Sequence, residues 1–184
     1  MKKQFLALLA IVFMASCNSS TERSESSATE TQQTPTVGQS GVKDDVSKPN
    51  IVQTAAGSDQ HTTLYAAVKA AGLADALSNA GPFTVFAPTD EAFKKLPEGT
   101  VDNLLKPENK NDLSNILEYH TYVGVLNNTL LQDGVEFGQV NAQRIKITKK
   151  GDKVFVNEIA EIIASIPTSN GMIHVIDHVL LPPN

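Results

Sequence analysis

The sequence predicts an α+β protein with one folded domain. Apolar residues follow helical spacing between about residues 61 and 120, and alternating or β-branched apolar segments follow up to residue 181. Helices that precede a meander of strands favour an α+β fold over a doubly wound α/β fold, in which the two would alternate. The folded part comprises about 135 residues, which is enough for one substantial core. Without Trp and with 5% aromatic residues, that core is expected to be aliphatic.

Five short helices and a strand are predicted in the first half. Gly72, Gly81-Pro82 and Pro97 are expected to end helices, and Thr89 and Thr100 are expected to cap the N-termini of the two that follow them. The predicted helices cover residues 61–71, 73–80, 90–96, 101–105 and 113–120, and the strand covers 83–87.

Strand patterns fill the second half. A short strand is expected over residues 121–125. Residues 144–149 alternate polar and apolar, and Gly151-Asp152 offers a turn into a partner strand at 154–156. Residues 159–166 form another apolar strand. Asn170-Gly171 is a strong signal for a two-residue hairpin turn, and it predicts a last strand over 172–181 that Pro182-Pro183 ends.

The N-terminus has the pattern of a lipoprotein signal peptide. Lys2 and Lys3 precede ten apolar residues, small Ala15 and Ser16 follow, and Cys17 comes next. Ten apolar residues are too few to cross a bilayer core, which needs roughly 20. The segment around Cys17 resembles a bacterial lipobox, although Met14 replaces the usual Leu. We expect residues 1–16 to be removed and Cys17 to be acylated, with palmitate among the usual acyl groups. The alternative is an ordinary secretory signal with an incidental Cys.

Residues 17–47 are expected to form a tether. Eleven of the 23 residues from 18 to 40 are Ser or Thr, and such a segment buries too little apolar surface to offset its ordering entropy. A flexible coil of this length reaches roughly 30 Å. The expected organisation is therefore a signal peptide over 1–16, a lipidated tether over 17–47 and a domain over 48–184. Asn18, rather than Asp, follows the cysteine, which favours delivery to the outer membrane.

Three motifs of the domain resemble those of the fasciclin family. Residues 84–93 are similar to its first signature block, residues 170–182 are similar to its second, and Tyr119-His120 lies where the family has a Tyr-His motif. The resemblance implies a wedge of two β-sheets with several helices packed on one side. It also implies structural roles for the remaining motif residues, which are Thr84, Pro88, Thr89, Asp90, Phe93, Gly171, His174, Asp177 and His178.

The histidines near the C-terminus do not predict a metal site. On one strand His174 and His178 would share a face about 13 Å apart, at roughly 3.3 Å per residue. One ion with ligand bonds near 2 Å cannot bind both. Asp177 would lie on the opposite face unless a bulge intervenes, so it is not placed as their acid–base partner. We expect Asp177 to form internal hydrogen bonds.

Tyr119 and His120 are the candidate partner-binding residues. Tyr offers a rigid amphipathic surface, and His can donate from one ring nitrogen and accept at the other. The alternative is that both side chains lock the end of their helix onto the following strand. In animal members of the family this region is tied to integrin binding, a partner that does not carry over to a bacterium.

The functional expectation is a binding module in a bacterial envelope. The sequence has no nucleophile elbow, no Gly-rich phosphate loop and a single cysteine, so we expect neither an enzyme nor a cofactor. The net charge of −5 and the lack of a basic patch disfavour nucleic acid. The main hypothesis is a membrane-anchored adhesion module that binds an envelope or matrix protein or glycan. The alternative is a small-ligand carrier or sensor with a pocket between sheets and helices.

Overall fold

The computed structural model describes residues 48–183. Within this range a group of helices precedes a set of strands, which confirms the α+β class. The helices are α1 (Ile51–Ala56), α2 (Thr62–Ala71), α3 (Ala74–Ser78), α4 (Asp90–Lys94), α5 (Thr100–Leu104) and α6 (Lys110–Tyr119), with a 3-10 turn at Pro107–Asn109. The strands are β1 (Phe83–Pro88), β2 (Thr121–Val123), β3 (Glu136–Gly138), β4 (Arg144–Lys150), β5 (Lys153–Val156), β6 (Ala160–Thr168) and β7 (Gly171–Ile176).

The strands follow one another in the order β2-β1-β7-β6-β5-β4-β3. Only β1 and β7 run parallel, and the other neighbours are antiparallel. Two residues of β6 pair with β5, and a bulge between Ile162 and Ala164 interrupts the ladder from β6 to β7. Because a bulge bends its strand, the sheet folds at this point into two halves that face each other.

Two apolar clusters lie on opposite faces of the central β1–β7 pair. Val85 and Val175 point towards the helices, whereas Phe86 and Ile176 point towards β4 and β5. The helix-side cluster also contains Leu64, Ala67, Val68, Leu113, Leu117 and Ile173, and the sheet-side cluster also contains Tyr119, Leu126, Leu131, Ile145, Ile147 and Val156. The core is mostly aliphatic, as composition predicts.

Three helix starts differ from the sequence-based prediction, and one of them is that of α6, which begins at Lys110 instead of residue 113. Helix α1 has too few residues to show a period, yet Asn50 and Gln53 close a capping box at its start. The N-cap of α5 is Gly99 in a left-handed conformation, and Thr100 is the first helical residue, so the prediction of a Thr100 cap is wrong. Thr89 caps α4 as predicted, because its hydroxyl accepts from the Ala92 amide.

The β6–β7 turn lies one residue earlier than predicted. Thr168 pairs with Gly171, so Ser169 and Asn170 form the turn and Gly171 begins the last strand. That strand ends at Ile176, which is shorter than the predicted range of 172–181. The chain bends at Asp177 and His178 instead of continuing the ladder.

Gly171 is required both by the close approach of β1 and by its own backbone conformation. Its φ is 155°, and a Cβ at this position would overlap the carbonyl of Phe83. Gly171 is also the residue that pairs with Phe83 in the parallel ladder. Any side chain here would push the two central strands apart.

The signal peptide, Cys17 and the tether over 17–47 lie outside the described residues. Among residues 48–183, no helix is both long and apolar enough to cross a membrane.

Replacing Gly171 with Ala is expected to lower the free energy of unfolding by about 3 kcal/mol or more, because the new methyl group forces β1 and β7 apart. Urea denaturation followed by circular dichroism measures the change. Gly151→Ala is the matched control, since Gly151 also has a positive φ, 64°, but a Cβ there meets no atom within 4 Å. Equal stability of the two variants would contradict this account of Gly171.

Candidate functional site

Motif residues of the two signature blocks meet on the central strands. Phe86 of β1 lies beside His174 of β7, with ring centroids 5.5 Å apart. Thr84 is fully buried on the same strand, where its hydroxyl donates to the Gly124 carbonyl and accepts from the Leu126 amide. Thr84 therefore ties the chain after β2 to β1. Pro88 is the buried last residue of β1.

Tyr119 is 2% exposed and lies in the sheet-side cluster. Its hydroxyl donates to the Arg144 carbonyl at 3.1 Å and accepts from the Asn157 side-chain amide at 2.9 Å. Asn157 has a φ of 52° in the β5–β6 loop, and its other side-chain atom accepts from the Lys146 amide. Tyr119 thus links the end of α6 to β4 and to this loop.

His120 is also 2% exposed and joins α6 to the C-terminal segment. The Ile116 carbonyl lies 2.8 Å from Nδ1 and can only accept, so Nδ1 carries the proton. Nε2 is then free to accept from the Leu180 amide at 3.0 Å. Burial lowers the pKa of His120 to about 4, against a small opposing effect of the Ile116 carbonyl.

Tyr119 and His120 therefore do not form a surface patch. Because both side chains are buried and hydrogen-bonded inside the domain, a partner cannot reach them in this conformation. Their geometry favours the alternative structural role, in which the pair locks the end of α6 onto its surroundings.

His174 is fully buried and contacts both β6 and the loop after β2. Its Nε2 donates to the Leu126 carbonyl at 2.7 Å, because a carbonyl can only accept. Its Nδ1 lies 2.8 Å from the Ser165 hydroxyl on β6. Burial lowers the pKa of His174 more than the Leu126 carbonyl raises it. Both nitrogens are used internally, which fits a structural role.

Asn170 connects the turn to the helices, a role that its position before Gly171 did not reveal. Its side-chain oxygen accepts from the Ile51 amide, and its side-chain nitrogen donates to the Leu77 and Asn79 carbonyls. These partners are 91 to 119 residues away along the chain. No local pattern indicates such contacts.

Asp90 caps a helix other than its own. Its carboxylate accepts from the Thr63 amide at 2.9 Å and from the Thr62 hydroxyl at 2.7 Å, at the N-terminus of α2. Burial raises the pKa of Asp90, but these hydrogen bonds outweigh it and hold the pKa below its ordinary value. Phe93 of α4 packs partly buried against the helix-side cluster. Both residues hold helices together.

Asp177 and His178 lie side by side after β7, so the prediction of opposite faces is wrong because the strand ends at Ile176. Oδ1 of Asp177 lies 2.9 Å from His178 Nδ1 and accepts from the Glu161 amide at 2.7 Å. Lys95 lies 3.3 Å from the other carboxylate oxygen. Burial raises the pKa of Asp177, but these partners together lower it. In the part of the chain that the structure describes, no three His, Cys, Asp or Glu side chains gather as metal ligands.

The accessible apolar surface lies in the part of the domain that follows α6, which we call the β half. The large hydrophobic side chains that are exposed within residues 48–183 all follow α6, and none belongs to a helix. They are Val123, Val125, Leu130, Val140, Ile159, Ile163, Ile166 and Leu181. The loop after Val125 runs from the exposed side chains near β2 to those on β6. Within it Leu126 bonds to Thr84 near β2, and Asn128 bonds to Ser165 on β6.

Comparisons with known proteins agree with this arrangement. The family described as Fasciclin domain matches residues 59–182. The chain belongs to the fasciclin family. Protein sll1483 of Synechocystis is 50% identical over 133 residues, which cover 72% of this chain and 73% of that protein.

Two further relatives come from distant organisms. Immunogenic protein MPB70 of Mycobacterium bovis is 33% identical over 144 residues, covering 75% of this chain and 72% of that protein. Transforming growth factor-beta-induced protein ig-h3 of Sus scrofa is 36% identical over 127 residues, which are 69% of this chain and 18% of that protein.

The fasciclin fold is supported by a solved structure, a FAS1 domain pair from the insect cell adhesion molecule Fasciclin I. It aligns with a TM-score of 0.65 at 19% identity, covering 72% of this chain and 51% of that chain. The match confirms the fasciclin fold expected from the sequence.

Acid is expected to destabilise this fasciclin domain through its buried histidines. Between pH 6.5 and the folded-state pKa of about 4 of His120, the unfolded chain binds more protons than the folded one. The contribution of His120 to stability is therefore full above pH 6.5, falls as the pH drops towards 4 and levels off below it. His120 alone contributes about 3 kcal/mol to this loss. Urea denaturation at pH 7 and pH 4.5 measures it.

The test variant is His120→Asn, which removes the buried imidazole, and the parent is its reference. The His120→Asn variant should lose less stability between the two pH values than the parent does. The same pH dependence in both proteins would contradict the role assigned to His120.

Proposed function

We propose that this chain is a lipid-anchored interaction module that supports adhesion outside the cytoplasm, by binding a protein or glycan of the envelope or matrix. The observation that carries the proposal is the concentration of exposed aliphatic side chains in the β half. Apolar surface of this kind marks an interaction site when it is grouped and not scattered over the whole molecule. A protein partner fits it better than a glycan does.

A non-enzymatic role is supported by how the polar residues are used. Tyr119, His120 and His174 complete internal hydrogen bonds, so their side chains are not available to a substrate. Fasciclin I, which shares the fold, is described as a cell adhesion molecule. We extend adhesion, and not that protein's partners, to this chain.

The proposed anchor is Cys17, at the outer membrane of a bacterial envelope. Several acyl chains on one cysteine would hold far more firmly than a single chain, whose binding is marginal. The tether over 17–47 would then place the domain within reach of a partner on the surface or in the matrix.

A carrier function is less well supported. A carrier encloses most of its ligand. A groove over β5 and β6, lined by Leu131, Val154 and Ser165 among others, has a volume of about 460 Å³ and is open to solvent. A second open groove, of about 570 Å³, lies between α2, α4 and α5.

A double variant with Val125→Lys and Ile163→Lys is expected to lose capture of its envelope or matrix partner by about tenfold or more, since each lysine must be desolvated at the interface. The full chain, solubilised in detergent and immobilised, would be exposed to envelope extract and matrix polysaccharide. The control is Ala66→Lys with Ala70→Lys, which adds the same charge at exposed positions of α2. Equal capture by both variants would rule out the aliphatic surface as the site.

Mass spectrometry tests the anchor independently of any partner. The mature chain is expected to begin at Cys17 and to carry acyl groups, and Cys17→Ser is expected to move the protein from the membrane fraction to the soluble fraction. An unmodified Cys17 in a membrane-free protein would contradict the anchor but would leave the interaction surface untouched.

A further inference from the structure

The outer edge of β2 has free backbone groups beside exposed valines. The Phe86 amide donates to the His120 carbonyl, and the Gly124 amide donates to the Pro82 carbonyl. The backbone N–H and C=O groups of even-numbered residues in and beside β2 therefore point towards β1. The backbone N–H and C=O of Thr121 and Val123 must therefore point away from β1. The Thr121 carbonyl accepts from the Val140 amide. Val123 follows it with a side chain that is 62% exposed.

The outer edge of β3 faces the same space. Backbone bonds of Val135 to Ile147 and of Gln139 to Gln143 place the odd-numbered residues against β4. The backbone groups of Glu136 and Gly138 therefore point away from β4, as does the Val140 amide that reaches Thr121. Continuing this antiparallel alignment would place Val123 opposite Gly138.

We call the space between these two edges the seam; its sides are residues 121–125 and 136–140. One backbone bond, Val140 to Thr121, closes it at one end. Within residues 48–183, no backbone bond joins Val123 to Gly138 beyond that point. A Cβ on Gly138 would meet no atom within 4 Å, so the face of the sheet at Gly138 is uncovered.

Two aromatic rings form the floor of the seam. Tyr122 and Phe137 meet edge to face with centroids 5.6 Å apart, and both are half-buried against the sheet-side cluster. Gly124 makes room for the Tyr122 ring, because a Cβ at Gly124 would collide with it. The rim is apolar, since Val125 and Val140 are both 45% exposed.

We propose that the seam binds an extended, aliphatic-rich segment of a partner protein, whose backbone pairs with the free backbone groups of Val123 and Gly138. Free donors and acceptors on two facing edges match a polypeptide backbone, which alternates both groups on both of its sides. The valine rim and aromatic floor select uncharged side chains. This inference rests on the proposed function and names the class of partner that the β half binds.

The size and charge of the seam favour a slender segment over a second copy of the domain. Its sides are three to five residues long, whereas globular partners contribute about 20 to 30 residues each. Residues 48–183 contain 11 Lys and Arg against 15 Asp and Glu, so two copies repel each other. Neither Val123, Val125 nor Val140 carries charge, so an aliphatic strand meets no such penalty.

Hydrogen exchange of the full chain tests the proposal with a defined probe. The probe is a capped peptide of alternating Thr and Val with a Lys at each end. We expect the Val123 and Gly138 amides to exchange quickly in the free chain and about tenfold more slowly with peptide present. The same peptide with N-methylated central amides should give no protection, because it has no backbone donors. Protection by both peptides, or by neither, would overturn the proposal.

Two variants separate backbone pairing from side-chain contact. Val123→Pro removes an N–H that points away from β1, so the ladder to β1 should remain while protection at Gly138 is lost. Val123→Ala keeps the N–H and should retain protection. If Val123→Pro fails to fold, the comparison between the two peptides decides.

Other occupants of the seam give different results. Protection in the free chain that grows with protein concentration would assign the seam to a second copy. Protection that disappears in a chain lacking residues 18–47 would assign it to the tether. Either result would overturn a partner strand. Capture that persists in a folded Val123→Pro variant would leave the proposed function standing without strand addition.

Discussion

The parallel pairing of β1 with β7 is the constraint on which the rest of this domain depends. These strands are buried on both faces, so each supplies side chains to both apolar clusters. Their contact requires the absence of a side chain at Gly171, where the Phe83 carbonyl occupies the space of a Cβ. The first and second signature blocks are therefore two halves of one contact. Neither block could keep its conformation without the other.

The buried polar residues follow from the same arrangement. Because these strands are covered on both faces, backbone groups of the adjoining loops are shielded from water. A buried polar group without a hydrogen-bond partner lowers the stability of the fold. Thr84 and His174 both bond to the backbone of Leu126, and His120 bonds to that of Leu180. Each of these side chains thus satisfies a loop that covers the sheet-side cluster. Polar residues that resemble binding groups in the sequence therefore form hydrogen bonds inside the domain.

Sequence patterns predicted this fold where a local signal existed. Helix α2, the Thr89 cap and every strand except the three-residue β3 follow from periodicity and capping chemistry, which act within a few residues. Helix α1 was missed because six residues show no period, and β7 was predicted too long because its end is set by contacts of Asp177 with Glu161 and Lys95. The burial of Tyr119 and His120 depends on β4 and the C-terminal segment, which no local pattern reveals.

The location of the proposed interaction surface follows from which apolar side chains and strand edges the core does not bury. Helices on one side of β1 and β7 bury their apolar faces in the helix-side cluster, so mostly polar side chains remain outside. The β half instead closes on itself with a bulge at β6 and a single bond at Thr121, which leaves strand edges and aliphatic side chains uncovered. Incomplete closure carries a risk of unwanted strand pairing. A partner that covers these edges would remove that risk, so stability and binding favour the same surface.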